Sequence, residues 1–291
     1  MELRHIRYFL AVAEAGNFTR AAAKLGIGQP PLSQQIRDME TEVEAVLFHR
    51  VPHGAELTAA GLAFLPHARA AIAASEAARL AAQRAARGET GRLSLGFTAS
   101  SAFNPTVTGA IRKFRSTWPE VALSLSEMNS DGLMLKLVRG EIDAAFIRPG
   151  LEDPKEVRLK RLPDEPMLAA LPSSHPLARH DRVRLADLAG EAFVLFPRTV
   201  GLSLYDDIVQ ACREASFDLI VSQEAPQIPS VVNLVAAGMG VSVVPGSISK
   251  IAVEGVTYRP LEQASPLIAR LGLAMLKGQR SPIALNFMNL L

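Results

Sequence analysis

The stretch NFTRAAAKLGIGQPPLSQQIRDMETEV, residues 17–43, reads as two helices joined by a tight turn. The first runs from about Thr19 to Leu25 and carries Ala21, Ala22 and Ala23, side chains small enough for another helix to approach closely. Gly26 and Gly28 bracket Ile27, giving a backbone that turns where a Cβ would clash. The second helix opens with Pro30 and Pro31, tolerated in a first turn whose N–H groups lack an intrahelical partner anyway. Leu32, Ile36, Met39 and Val43 then recur as one apolar stripe of a helix. The opposite face holds Gln29, Ser33, Gln34 and Arg37, ahead of an acidic end at Asp38, Glu40, Glu42 and Glu44.

Paired amphipathic helices joined by glycine also occur in proteins that never touch DNA. Charge does not separate the cases, because 31 Lys+Arg stand against 29 Asp+Glu over the 291 residues. The polar face does. A solvated face usually carries Lys and Glu, whereas glutamine, serine and arginine suit base edges and phosphates. A helix–turn–helix with such residues at the start of its second helix has the form of a major-groove reader.

Ahead of this stretch, Leu3 to Ala15 is a helix with Leu3, Ile6, Phe9, Leu10 and Ala13 on one side, ending at Gly16. It completes a three-helix core. After Glu44, two short extended pieces around Pro52-His53-Gly54 make a β-hairpin wing that can lie along a phosphate backbone. Thr58 to Arg87 is a long helix, capped by Thr58 and rich in alanine, the strongest helix former. Its roughly 30 residues span about 45 Å, and Pro66 should kink it. Leu62, Leu65, Ile72 and Leu80 form a loose apolar stripe. The segment is either an ordinary surface helix or one half of a pair with the same helix of a second chain. Gly88, Glu89, Thr90 and Gly91 break it.

The opening MELRHIRYFLAVAEAGNFTRAAAKLGIGQPPLSQQIRDME, followed by LFHRVPHGAELTAAG, resembles the winged helix–turn–helix of LysR-type transcriptional regulators. The resemblance covers essentially the whole chain and is greatest to members controlling aromatic-acid breakdown in bacteria. It implies α/β architecture: a DNA-binding domain at 1–58, a linker and dimerisation helix at 59–88, and a periplasmic-binding-protein-like effector domain at 89–291. Lobe I of that domain is expected at about 91–161 and 267–291, lobe II at about 162–266. DNA contact is assigned to Thr19 and Arg20, to Gln29, Pro30, Pro31, Ser33, Gln34 and Arg37, and to Arg50 and His53 of the wing. Related sequences often carry a second arginine where His53 stands. His53 is thus either a weaker, pH-dependent contact, since an unperturbed histidine is mostly neutral at pH 7, or a loop residue without a partner.

From Arg92 the texture changes to alternating strands and helices. Strands are expected at Leu93–Phe97, Val121–Leu125 and Asp143–Arg148, with helices at Asn104–Trp118 and Ser130–Arg139 between them. A second set follows: strands at Phe193–Phe196, Leu219–Glu224 and Val241–Val244, with helices at Leu202–Ala215 and Ser230–Ala237. Extended crossovers at Arg161–Leu171 and near Thr257–Arg259 join the sets, and a strand at about Leu271–Met275 precedes a final helix. Such βαβ patterns imply mostly parallel sheets in two lobes facing a cleft.

Ligands of open α/β sheets sit beyond the carboxyl ends of the strands, where helix N-termini converge. Those ends are Thr98-Ala99-Ser100-Ser101, Asn129-Ser130 and Arg148 on one side. Facing them are Phe196-Pro197, the loop to Leu202 and Leu204, and Gln227-Ile228. Hydroxyls, helix N-termini and an arginine suit a carboxylate, and the apolar side chains supply a wall. The resemblance makes Ser100 and Ser130 contacts of the inducer carboxylate; simple helix capping is the other reading. Arg148 is either a ligand contact or half of a surface pair with Glu141 or Glu152.

Other chemistry finds no support. Gly238-Met239-Gly240 resembles a dinucleotide loop but lies between helix and strand, the reverse of the required order. No nucleophile elbow, zinc spacing or paired carboxylates are present, so no catalytic residue, metal or cofactor is expected. His175 and His180 flank Pro176 in an expected surface loop. The single cysteine, Cys212, excludes an internal disulfide and fits a reducing cytosol. No run approaches the ~18 apolar residues of a membrane span, and the charged N-terminus is no signal peptide. The expectation is a cytoplasmic regulator binding promoter DNA as an inverted-repeat homodimer that assembles into a homotetramer. It would sense a small aromatic or unsaturated carboxylate, and the resemblance allows a contact with RNA polymerase. A solute-binding protein without DNA function or an α/β enzyme is the alternative; steep salt dependence of duplex binding distinguishes the regulator.

Overall fold

A computed structural model describes residues 1–52, 54–150, 155–262 and 266–291. It divides into two compact units, Met1–Arg84 and Ala85–Leu291.

The first unit begins with α1 (Leu3–Ala15), α2 (Phe18–Leu25) and α3 (Gln29–Glu42). Each boundary has a local cause. Gly16 ends α1 at φ 58°, and the Asn17 side chain accepts the N–H groups of Thr19 (2.9 Å) and Arg20 (3.1 Å) to cap α2. Gly26, at φ 67°, takes the left-handed conformation that turns the chain toward α3. The apolar stripe of α3 meets Ile6, Phe9 and Val12 of α1 and the small Ala21 and Ala22 of α2 in one core. The wing is β1 (Phe48–Val51) paired antiparallel with β2 (Gly54–Leu57). Gly54 is obligatory there, because a Cβ would lie 2.1 Å from the Gly16 carbonyl oxygen. The wing's Phe48 joins the core, 5.1 Å from Phe9 and 5.8 Å from Phe18 between ring centres. Thr58 caps α4 (Ala59–Ala86), its Oγ1 accepting the N–H of Gly61. From residue 73 to 83 this helix is exposed save for the half-buried Ser75.

The second unit opens with β3 (Gly91–Phe97), α5 (Pro105–Thr117), β4 (Val121–Glu127), α6 (Ser130–Val138) and β5 (Ala144–Ile147). Strands β4 and β5 flank β3 in parallel. The chain continues through β6 (Val157–Pro172), the short β7 (Val183–Arg184), β8 (Ala192–Leu195), α7 (Leu202–Glu214), β9 (Ile220–Glu224) and α8 (Ile228–Ala236). It closes with β10 (Ser242–Pro245), β11 (Val256–Glu262), β12 (Ile268–Leu276) and α9 (Pro282–Leu290).

The sheet is mixed rather than mostly parallel. Its order is β4-β3-β5-β12-β6-β11-β7, with β10 also on β6, while β8 and β9 pair in parallel apart from it. Both expected crossovers are strands. The first half of β6 pairs antiparallel with β12, and its second half with β10 and β11. The reason is backbone satisfaction: segments that run side by side between two lobes bury N–H and C=O groups that must pair with each other. Each lobe has its own core. Phe114, Phe146 and Phe287 stack edge-on in the first; Phe193, Val231, Val235, Val243 and Cys212 pack in the second. His175 caps a short helical turn, Pro176–Arg179: its ring accepts the N–H of Leu177 at 3.2 Å, and Nε2 lies 3.2 Å from Glu191. None of the described helices is long and apolar enough to cross a membrane.

Candidate functional site

Two surfaces carry the residues singled out above. On α3, Pro30, Pro31, Gln34 and Arg37 are exposed. Gln34 is held at both ends of its amide: Oε1 accepts Arg37 at 3.0 Å and Nε2 donates to Asp38 at 2.7 Å. Ser33 departs from this surface. It is 4% exposed, and its hydroxyl accepts Gln29 Nε2 at 2.8 Å. Lying one residue after Leu32 and three before Ile36, it falls on the flank of the apolar stripe, so it supports Gln29 instead of facing outward. Thr19 and Arg20 are exposed on the first turn of α2, where Arg20 also donates to the Ala15 carbonyl at 2.6 Å. Arg50 is exposed on β1, its guanidinium 5.0 Å from the centre of the Phe18 ring, a cation–π arrangement. His53 lies outside the described residues.

In the second unit a cavity of about 310 Å³ lies between the lobes. It gathers every residue expected there except Ser101 and Pro197. Ser101 is turned inward, its hydroxyl donating to the Thr98 carbonyl at 2.9 Å and accepting the Thr98 N–H at 3.1 Å. Pro197 instead closes a turn, its carbonyl accepting the Val200 N–H at 2.8 Å. Three helices start at the cavity: α6, capped by Asn129, and α7 and α8, whose Gly201 and Gln227 provide no side-chain cap. Ser100 is not a helix cap, because Asn104 caps α5. Its hydroxyl accepts Arg148 Nε at 3.2 Å and lies 3.4 Å from the Thr98 hydroxyl.

The reading from sequence passed over Glu127, Asp131, Gly150 and Pro226, which also line the cavity. Glu127 was missed because β4 runs two residues longer than expected. Three hydrogen bonds cross between the lobes here: Gln227 Nε2 to Glu127 at 3.1 Å, Asn129 Nδ2 to the Thr199 carbonyl at 3.1 Å, and Ser203 Oγ to the Arg148 carbonyl at 3.3 Å.

Arg148 is not a surface residue. It is 7% exposed, and Glu165, not Glu141 or Glu152, is its partner at 2.6 Å. Glu141 lies 3.9 Å from Arg139, and Glu152 is outside the described residues. The remaining guanidinium donors reach the carbonyls of Ser100, Ala269 and Arg270 at 3.2–3.3 Å. Glu165 also accepts Asn104 Nδ2 at 3.1 Å and the Ser247 N–H at 2.8 Å. Burial pushes its carboxyl up, but the Arg148 charge and hydrogen bonds from Ser247, Arg148 and Asn104 outweigh that and hold it below the usual carboxylate range. Burial draws the Arg148 guanidinium down against the opposing Glu165 charge. Both stay ionised, so the arginine's charge is already neutralised where it meets the cavity.

Cys212 is fully buried, and burial pushes its thiol up to about 12, which leaves no thiolate for chemistry at neutral pH. Among the described residues no group of three or more His, Cys, Asp or Glu is placed to hold a metal ion.

Two family models match the chain: the bacterial regulatory helix-turn-helix protein of the lysR family over residues 3–62, and the LysR substrate binding domain over 86–291. The transcriptional regulator BudR of Raoultella terrigena is 40% identical over 290 residues, spanning all of both chains. AlsR of Bacillus subtilis is 36% identical over 290 residues, covering all of this chain and 95% of its own. Among solved structures, full-length CbnR complexed with its target DNA superposes with a TM-score of 0.85 at 27% identity, covering 100% of this chain and 98% of CbnR.

Proposed function

The chain belongs to the LysR family of bacterial transcriptional regulators, and from that premise we propose how it reads DNA and what it senses. It is a DNA-binding regulator with an effector-binding domain, and not an enzyme. The head, residues 1–58, inserts the start of α3 into the major groove. Gln29 and Gln34 meet base edges there, while Thr19, Arg20, Arg37 and Arg50 meet phosphates. Residues 59–88 pair two chains so that two heads span an inverted repeat, and dimers assemble into tetramers. Residues 89–291 bind the effector, whose arrival alters that assembly and any contact with RNA polymerase. The protein acts in the cytoplasm.

The effector is a small aromatic or unsaturated carboxylate. The observation carrying this is the convergence of three helix N-termini on one cavity of about 310 Å³. Unpaired N–H groups and the positive end of each helix dipole favour an anion at that point. The hydroxyls of Ser100 and Ser130 add donors, and Phe196, Leu202, Leu204 and Ile228 add an apolar wall. With its charge balanced by Glu165, Arg148 acts through Ser100 and not as the anion's own partner. Calorimetric titration of the full chain with aromatic and unsaturated acids tests this. Saturable binding is expected, weakened about tenfold, or ~1.4 kcal/mol, in Ser130→Ala. Saturable binding of neutral compounds alone contradicts it.

A further inference from the structure

The root of the wing hydrogen-bonds to one carboxylate of the recognition helix. Glu40 is half-buried near the end of α3. Its Oε1 accepts two successive backbone N–H groups, Leu47 at 2.7 Å and Phe48 at 3.1 Å, where the chain enters β1. The side chains of both residues are sunk in the core, 1% and 5% exposed. From the other side Thr58 completes the grip: its N–H donates to the Leu47 carbonyl at 3.0 Å and its hydroxyl to the Val46 carbonyl at 2.7 Å. Two residues beyond Phe48, Arg50 stands exposed against Phe18. Glu40 therefore ties the helix that carries Gln34 and Arg37 to the strand that carries Arg50. A carboxylate in a DNA-facing head repels phosphate, which makes its engagement with two N–H groups the more telling. Hydrogen bonds to an ionised acceptor are among the stronger ones.

We infer that Glu40 is a positioning residue for DNA binding: by fixing the root of β1 on α3, it sets the distance between the base contacts of the helix and the phosphate contact of Arg50. The inference rests on the wing reading given above. Two contacts on one rigid duplex must both be in register. Slack of about an ångström between their supports forfeits the one farther from the helix. The carboxylate does not touch DNA in this account; it acts through Arg50.

Salt dependence separates positioning from mere folding. Each phosphate contact steepens the fall of log K with log salt by about 0.9, whereas a loss of folded protein lowers apparent binding without changing that slope. The full chain is titrated, from about 50 to about 200 mM salt, against a duplex selected by the wild type from a randomised pool. Arg50→Ala should lower the slope by about one per head. Glu40→Ala should lower it equally, and Glu40→Ala combined with Arg50→Ala no further. Glu40→Gln removes the charge but keeps the acceptor oxygen, and should retain the wild-type slope. Glu40→Asp, one methylene short of the two N–H groups, should behave like Glu40→Ala and carries the test if the alanine variant does not fold. A wild-type slope in folded Glu40→Ala or Glu40→Asp, alongside a lowered slope in Arg50→Ala, overturns the inference. So does an equal loss in Glu40→Gln, which would make the effect one of charge. An unchanged slope in Arg50→Ala itself removes the wing contact, and the inference falls with it.

Discussion

Arg148 shows what residue-level reading reaches and what it misses. Its place at the end of a strand, beside a cleft, follows from counting strands. Its partner does not: Glu165 lies 17 residues on, inside the run Leu162-Pro163-Asp164-Glu165-Pro166, expected only as extended chain crossing between the two sets. The antiparallel register of β6 against β12, which sets Glu165 opposite Ala269, decides where along that crossing the carboxylate falls. Ser33 is the converse case, a polar residue placed outward by composition and turned inward by helix phase. The buried pair has a thermodynamic consequence. The folded carboxyl of Glu165 sits below its ordinary value, so the pair contributes stability above the unfolded pKa, about pH 4.3. That contribution is lost as pH falls through the folded value. Glu165→Ala leaves a buried guanidinium without its counter-charge and should destabilise Ala85–Leu291 by about 3–5 kcal/mol at pH 7. Denaturant unfolding followed by near-UV circular dichroism reads it. The difference from wild type should shrink as pH drops below about 4; a pH-independent difference would remove the ion pair as its cause.

At the scale of elements, the helices were legible because many of their boundaries are written locally. Asn17, Asn104, Asn129 and Ser281 cap the helices they precede, and Gly16 and Gly26 end theirs. The strands β6 and β11 were legible as extended chain but not as ladder partners, because pairing is decided by what lies alongside. The helix α4 holds the remaining element-scale question. Leu65 and Ile72 pack on the core of the first unit, while Leu62 and Leu80 are 60% and 45% exposed. Alanine sustains the helix, yet large apolar side chains in that setting fit a paired helix. Replacing both Leu62 and Leu80 by serine should weaken dimerisation by about 1.5–3 kcal/mol for each leucine buried between the chains. Sedimentation equilibrium measures this directly. A wild-type dissociation constant in the folded double variant would move the dimer contact elsewhere.

For the whole molecule, the cleft was readable in outline because strand ends and helix starts must meet somewhere in an α/β lobe. Its width and the bonds across it were not, since Gln227–Glu127 and Asn129–Thr199 join residues 70 or more positions apart. Cys212 is buried with its thiol pushed up to about 12, and the sensing proposed above rests on the cleft. Any effector response acts through the DNA-binding head of residues 3–62. The most direct measurement is competition of the full chain between a duplex selected from a randomised pool and random duplex of equal length, for wild type and Gln29→Ala. The wild type should strongly prefer the selected duplex, and Gln29→Ala should lose about 1–3 kcal/mol of discrimination at one base position while keeping its preference elsewhere. Equal binding of every duplex by the folded wild type would contradict the account.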